Sequence, residues 1–134
     1  MIWGIELPWP PTNNNYWRHV VVGKRQKVRG GVAVLNPRGG NYVSEKGKAY
    51  RGNVIGLVFA AGDVPDFRDG SLVVNIFAYP PDRRERDLDN LPKAVLDSLT
   101  HAGIWANDSQ IDDLRIRRAP VEKGGRIYVT VEHL

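Results

Sequence analysis

Between Asp87 and Asp113 the chain carries acids and a lysine at spacings that suit phosphate chemistry. Asp87-Leu88-Asp89-Asn90 runs into a segment with the apolar pattern of a helix, and Lys93 follows Asp89 by four residues. In extended backbone Asp87 and Asp89 point to one side, because side-chain direction repeats every two residues. With Asp89 at a helix start, Lys93 projects near it one turn further on. Two carboxylates and an ammonium then meet at a helix N-terminus, whose partial positive charge favours a phosphate. Hard carboxylate oxygens at close range are what a magnesium ion needs, usually one or two of them completed by water and substrate oxygens. Without a cation the carboxylates repel, which raises their proton affinity.

Each of these residues also has an ordinary structural role. An Asp-x-Asp before a helix serves as a cap and a solvated acid. Lys93 serves as a surface lysine pairing with Asp97, and Asp108, Asp112 and Asp113 as turn acids before a strand. The other chemistries are poorly supplied. His19, His101 and His133 have no ligand spacing, and His101 suits a helix C-terminus. No serine sits in a nucleophile elbow. Gly30-Gly31 and Gly39-Gly40 lack the spacing and lysine of a phosphate-binding loop and read as turns. There is no cysteine, which excludes a disulfide framework, a thiolate metal site and a cysteine nucleophile.

The elements that must hold these residues follow from apolar periodicity and punctuation. Ile2 to Leu7 predicts a first strand, stopped by Pro8, Pro10 and Pro11. Thr12 to Asn15 predicts a turn or loop, Tyr16 to Val22 extended chain, and Gly23 to Gly40 a flexible basic hairpin or loop. A first helix is predicted from about Glu45 to Ala61, weakened by Gly47, Gly52 and Gly56. Ser71 to Tyr79 is the clearest strand, rich in Val, Ile and Phe and ended by Pro80-Pro81. A second helix is predicted from about Asn90 to Ala102, with Leu91, Val95, Leu96, Leu99 and Ala102 on one face. Asp89 or Asn90 caps it, Pro92 sits in its first turn and Gly103 ends it. Leu114 and Ile116 alternate with arginines, and Gly124-Gly125 leads into Ile127, Val129 and Val131, which predicts a C-terminal hairpin with one buried face. The expected fold class is α+β: a single domain over residues 1–134, with a mixed sheet and two helices packed on it.

The chain of 134 residues, 42% hydrophobic and 25% charged, has the composition of a folded globular domain able to bury a core. Its longest apolar run, Val54 to Ala61, is less than half a membrane span. Met1 to Pro8 has an acid, a proline and no basic start, so a signal peptide is not expected. The net charge of +4 is unevenly spread. Trp17 to Arg51 holds nine Lys or Arg against Glu45 alone, so these 35 residues carry +8 and the rest −4. A basic stretch of that density is the usual footprint of a polyanion, since each phosphate neutralised releases condensed counterions. Its alternative is a solvated, solubilising face.

Three segments taken together resemble one known family. Arg86-Asp87-Leu88-Asp89-Asn90-Leu91-Pro92-Lys93, then Leu96-Asp97-Ser98-Leu99, then Gly103 to Ile111 are similar to the core of the RusA family of Holliday-junction resolvases. That core reads D-x-D-N-x-x-K, a short helix ending near glycine, then an aspartate before a Ser/Gln-Ile strand start. Pro10-Pro11-Thr12-Asn13 with Tyr16, Trp17 and Arg18 also resembles the family's proline-polar-Asn segment. The resemblance implies a RusA-like fold and a cytoplasmic, bacterial or phage-encoded endonuclease of DNA recombination and repair. It implies a homodimer that resolves four-way DNA junctions by paired symmetric nicks with Mg2+. Asp87, Asp89 and Asp108 would then be metal ligands and Lys93 the catalytic lysine. Asn90 matches the pattern too and is assigned first to helix capping. From charge, Arg18, Lys24, Arg25, Lys27, Arg29 and Arg86 are the expected DNA contacts, and Tyr16 and Trp17 either stack on unpaired bases or pack in the core. Between about Gly23 and Gly40 this chain is longer and more basic than the family's compact form.

Two rivals use the same residues differently. A less selective metal-dependent nuclease on branched or flap DNA would keep the same site. A non-catalytic nucleic-acid-binding module would need the acids only as caps and turns. The acid-acid-lysine-acid set argues against the module, because a binding protein gains nothing from carboxylates facing a polyanion.

Overall fold

The computed structural model describes the backbone of residues 1–28 and 31–134 and the side chains of residues 1–17 and 42–134. In chain order the elements are β1 (Ile2–Pro8), α1 (Asn13–Tyr16), β2 (Trp17–Val28), β3 (Gly31–Val43), α2 (Glu45–Ala61), β4 (Leu72–Tyr79), α3 (Pro92–His101), β5 (Ile111–Arg118) and β6 (Arg126–His133). Two 3-10 turns, Leu88–Asn90 and Asp108–Gln110, flank α3. Four strands form a mixed sheet in the order β1-β6-β4-β5, parallel between β4 and β5 and antiparallel elsewhere. The α+β class expected from sequence holds.

Alternation writes the sheet's two faces. Leu72, Val74, Ile76 and Ala78 of β4 are buried, while the residues between them are half exposed. Ile127, Val129 and Val131 of β6 and Ile5 and Leu7 of β1 continue that inner face. Tyr50, Val54 and Val58 of α2 and Ala94, Val95 and Leu99 of α3 lie in the same core cluster. Full burial of each large aliphatic side chain there contributes about 1.5–3 kcal/mol. β5 is an edge strand, and Arg115, Arg117 and Arg118 are exposed along it, charge of the kind that discourages an edge from pairing with another chain.

Several sequence expectations need correction. Thr12 to Asn15 opens a one-turn helix, since the Thr12 side chain accepts from the Asn15 amide at 3.3 Å. The hairpin expected within Gly23 to Gly40 holds, as the antiparallel pairing of β2 with β3 in a two-stranded sheet of its own, but Gly39-Gly40 is strand in β3, opposite Val21 and Val20, and not a turn. β5 and β6 do not form a hairpin, because β4 lies between them. Asn90 and Asp89 do not cap α3: its N-cap position is Leu91, and no side chain bonds the free amides. Gly103 ends that helix as expected, with φ of 82°.

Gly47 has a packing reason to stand inside α2. A Cβ there would lie 2.6 Å from the Tyr16 carbonyl oxygen and 2.7 Å from Val43 Cγ1. The lowered helix propensity is the condition for seating α2 on α1 and β3, where Ser44 caps the helix by accepting from the Gly47 amide at 3.0 Å.

Candidate active site

The chain between β4 and β5 carries every acid of interest, and α3 divides it. Leu88 packs against the core and Leu91 is buried, so the segment must curl to send both leucines inward. It does so as a 3-10 turn, with the Asn90 amide donating to the Asp87 carbonyl at 3.2 Å and Leu91 to Leu88 at 3.3 Å. This turn replaces the extended backbone expected from sequence, and with it the shared direction of Asp87 and Asp89. Asp89 lines a cleft with Lys93 and Asp108, whereas Asp87 lines a neighbouring cleft with Trp9, Thr12 and Arg86. Among the described residues, no three of the His, Asp and Glu side chains are gathered closely enough to hold one metal ion together.

The cleft of Asp89, Lys93 and Asp108 has a volume of about 520 Å³. Lys93, Leu96 and Asp97 line its wall from α3, Leu114 from β5, and Asn13 and Trp17 close it from the N-terminal segment. Asp108 is held by the turn it begins. Asn107 Oδ1 accepts from the Ser109 amide at 2.9 Å, and Gln110 Oε1 accepts from the Ala106 and Asn107 amides at 2.9 and 3.1 Å. The Gln110 amide group then donates to the carbonyls of Phe67 and Gly70, tying the turn to the chain ahead of β4. Gln110 therefore fixes the Asp108 backbone from both sides.

Lys93 is not a surface lysine paired with Asp97. That carboxylate accepts from Tyr16 and from Arg51 Nη2 at 2.7 Å, and His101 Nε2 lies 3.8 Å away. Lys93 thus has no ion pair among the described residues and opens on the cleft. The Asp97 cluster ties α1, α2 and α3 together behind it. Burial, and then the Asp97 carboxylate, hold the Tyr16 hydroxyl protonated above its usual range. Tyr16 is fully buried and packs edge-on against Trp17 at 5.2 Å, so it belongs to the core and cannot stack on a base.

Asn13 is the residue that periodicity and spacing missed. Its Nδ2 donates to the Asp89 carbonyl at 3.1 Å across 76 positions of chain. Among the described residues its Oδ1 is buried without a hydrogen-bond partner, as is the Trp17 indole N–H. Only the proline-polar-Asn segment pointed to it. Asp89, Asp108 and Asn13 line one cleft with oxygen-bearing side chains, a donor chemistry that fits a cation such as Mg2+ better than a soft-ligand metal.

The remaining expected contacts divide. The side chains of Arg18, Lys24, Arg25, Lys27 and Arg29 lie outside the described residues. Arg86 is largely occupied, donating to Asp82 Oδ1 at 2.8 Å and to the Asp82 and Arg84 carbonyls at 3.3 Å. Arg86 holds the Asp82 carboxyl well below the usual range, at about 2. Asp113 pairs with Arg115 at 3.2 Å, and Asp112 is exposed on β5 and is not one of the residues that line the cleft.

Residues 8–132 match the family model described as Endodeoxyribonuclease RusA. The chain is 41% identical over 133 residues to the crossover junction endodeoxyribonuclease RusA of Escherichia coli K12, covering 98% of this chain and 95% of that one. It is 40% identical over 131 residues to the protein of the same name from Enterobacteria phage 82, covering 97% and 93%. The Shigella sonnei protein is 40% identical over 133 residues, covering 98% and 95%.

Proposed function

The chain belongs to the RusA endodeoxyribonuclease family, and from that premise we propose that it resolves four-way DNA junctions by Mg2+-dependent hydrolysis during recombination and repair. The observation that supports this reading is the cleft itself. Two carboxylates from either end of α3, and a lysine of α3 with no ion pair among the described residues, open on one cleft. No helix among the described residues is long and apolar enough to cross a membrane.

In the proposed mechanism Asp89 and Asp108 would hold the cation from within the cleft, with Asp87 as a third ligand from the adjoining cleft. Bound there, Mg2+ would supply activation of the attacking water and stabilisation of the leaving 3′ oxygen. Asn13 is a positioning residue, fixing the Asp89 backbone through its carbonyl. The Lys93 ammonium faces the phosphate and stabilises the negative charge that gathers on its non-bridging oxygens. The absence of a competing ion pair among the described residues leaves its charge available to the substrate.

A four-way junction has two-fold symmetry, and its resolution takes two matched nicks. A C2 homodimer with one cleft per protomer supplies them. Selectivity then rests on junction shape and phosphate placement more than on base edges. The test is incubation of the protein with a synthetic four-way junction and with matched linear duplex, in Mg2+ and in chelator. Paired nicks in the junction alone, lost in chelator, are the expected result. Equal cutting of flaps and duplex would turn the reading to a less selective nuclease.

The basic segment makes a separate expectation. Neutralising Lys24, Arg25, Lys27 and Arg29 together weakens binding to every DNA shape. The slope of log K against log salt falls by about 0.9 for each duplex phosphate that is no longer neutralised. A titration of affinity against salt checks this, and an unchanged slope places these side chains away from DNA.

A further inference from the structure

A second cavity lies beside the cleft of Asp87 and has no part in the mechanism above. Its volume is about 290 Å³, at the small end of ligand pockets. Ala78, Pro80, Leu88 and Leu91 give it an apolar lining, and Val121 stands at its rim, 46% exposed. Arg83, Arg84 and Arg118 stand at the opening with Asp82 and Glu85; Asp82 is paired with Arg84 and Arg86, and the arginines leave positive charge in excess. Trp9 and Arg86 belong to both this cavity and the Asp87 cleft, with the Arg86 guanidinium 5.8 Å from the Trp9 ring centre. The walls are held rather than loose. Arg118 donates to the Arg86 carbonyl, and the Glu122 amide donates to the Pro80 carbonyl at 2.8 Å.

An apolar slot with an aromatic wall and an arginine rim matches a nucleobase joined to its phosphate: the base enters, and the phosphate stays among the arginines. Its capacity is one base, not a base pair. It also touches Arg86, the residue that precedes Asp87, and so adjoins the Asp87 cleft. Bases at a junction crossover have already lost part of their stacking, which lowers the cost of turning one out of the helix. We propose that this cavity is a base pocket that takes the unstacked base of the nucleotide adjoining the cleaved phosphate, and so sets which positions at the crossover are cut. The inference rests on the nuclease reading above for its substrate.

The experiment removes the base from the DNA and the space from the protein. Junctions carrying one abasic nucleotide on either side of the mapped cut are cleaved under single-turnover conditions by the wild type and by Val121→Trp. The loss of one stacked base slows the wild type about 10-fold at one of these positions. Val121→Trp, whose rim position tolerates a larger side chain, cuts the intact junction at that slowed rate and is indifferent to the missing base. In parallel, 2-aminopurine at the same position is followed on binding without Mg2+. Its fluorescence is quenched by the wild type and unaltered by Val121→Trp bound to the same junction. Unchanged cleavage of every abasic junction by the wild type overturns the pocket, as does quenching kept by the bound variant. If the variant does not fold, Arg83→Ser with Arg84→Ser replaces it, and retention of the full quenching by that protein overturns the pocket too. A wild type that quenches 2-aminopurine but does not cut the intact junction keeps the pocket and removes the nuclease reading.

Discussion

Asp89→Asn is expected to abolish junction cleavage, by about a thousandfold or more, while junction affinity measured without Mg2+ stays the same or rises. The substitution is nearly isosteric, and the Asp89 side chain is exposed in the cleft, so folding has little to lose. The bond that ties this turn to the N-terminal segment is made by the Asp89 backbone carbonyl, which Asn13 still reaches. What changes is one unit of negative charge at a site meant to hold a cation against a phosphate. With the charge gone, the cation is held less well and the phosphate is repelled less, so chemistry and binding move in opposite directions. Asp108→Asn, opening on the same cleft, behaves alike. Asp87→Asn loses cleavage as well if DNA draws its carboxylate to the cation, and wild-type cutting by that variant removes Asp87 from the ligand set. Asp112→Asn serves as the control. Gel-shift affinity and single-turnover cleavage on the same junction separate the two effects, and an Asp89→Asn protein that cuts normally overturns the site.

Much of this arrangement was legible in one sequence because the signals were local. The alternation in Ser71 to Tyr79 and the apolar face of Leu91, Val95 and Leu99 each describe burial against a neighbour, whichever neighbour that is. The identity of the neighbour was not legible. Alternating Leu114 and Ile116, a glycine pair and alternating Ile127 to Val131 describe a hairpin as well as they describe two strands with a third inserted. The connector from Ala119 to Gly125 passes the end of β4 with Ala119 donating to the Ala78 carbonyl at 2.8 Å. Gly124 and Gly125 do turn the chain, at φ of 87° and 69°, but the turn feeds a strand about 10 Å from β5. Only long-range pairing decides that.

The site divides along the same line. Asp89 and Lys93 are one turn apart in sequence and meet in one cleft, and Asp108 arrives because Gln110 anchors its turn to Phe67 and Gly70. Asp87 shows how a local rule fails. Period-two direction holds only in extended chain, and Leu88 with Leu91, three apart and both drawn to the core, had already written a turn. Asn13 was beyond reach of any local rule, since its hydrogen bond to Asp89 crosses from one end of the domain to the other. The family resemblance carried information about that segment that periodicity could not.

Lys93→Ala is expected to slow the chemical step by about two to three orders of magnitude, the range for removing one transition-state interaction, with junction affinity little changed. Lys93 leaves α3 into the cleft that Asp89 and Asp108 share, and Asp97, the acid four residues on, is engaged by Arg51 and Tyr16. Its ammonium makes no ion pair among the described residues that truncation would undo, and melting temperature is expected to stay near the wild-type value. In the ground state it is one of nineteen basic side chains attracting DNA, a small part of the electrostatic total. Its weight appears only when charge gathers on the phosphate oxygens, where a fixed ammonium in a confined cleft acts most strongly. Lys93→Arg restores activity in part, because the planar, bulkier guanidinium does not replace a compact ammonium against a crowded phosphate. Single-turnover cleavage with every junction bound measures the chemical step apart from binding. A Lys93→Ala protein that binds poorly and cuts normally once bound makes this lysine a docking residue, and leaves the carboxylates as the whole of the catalytic set.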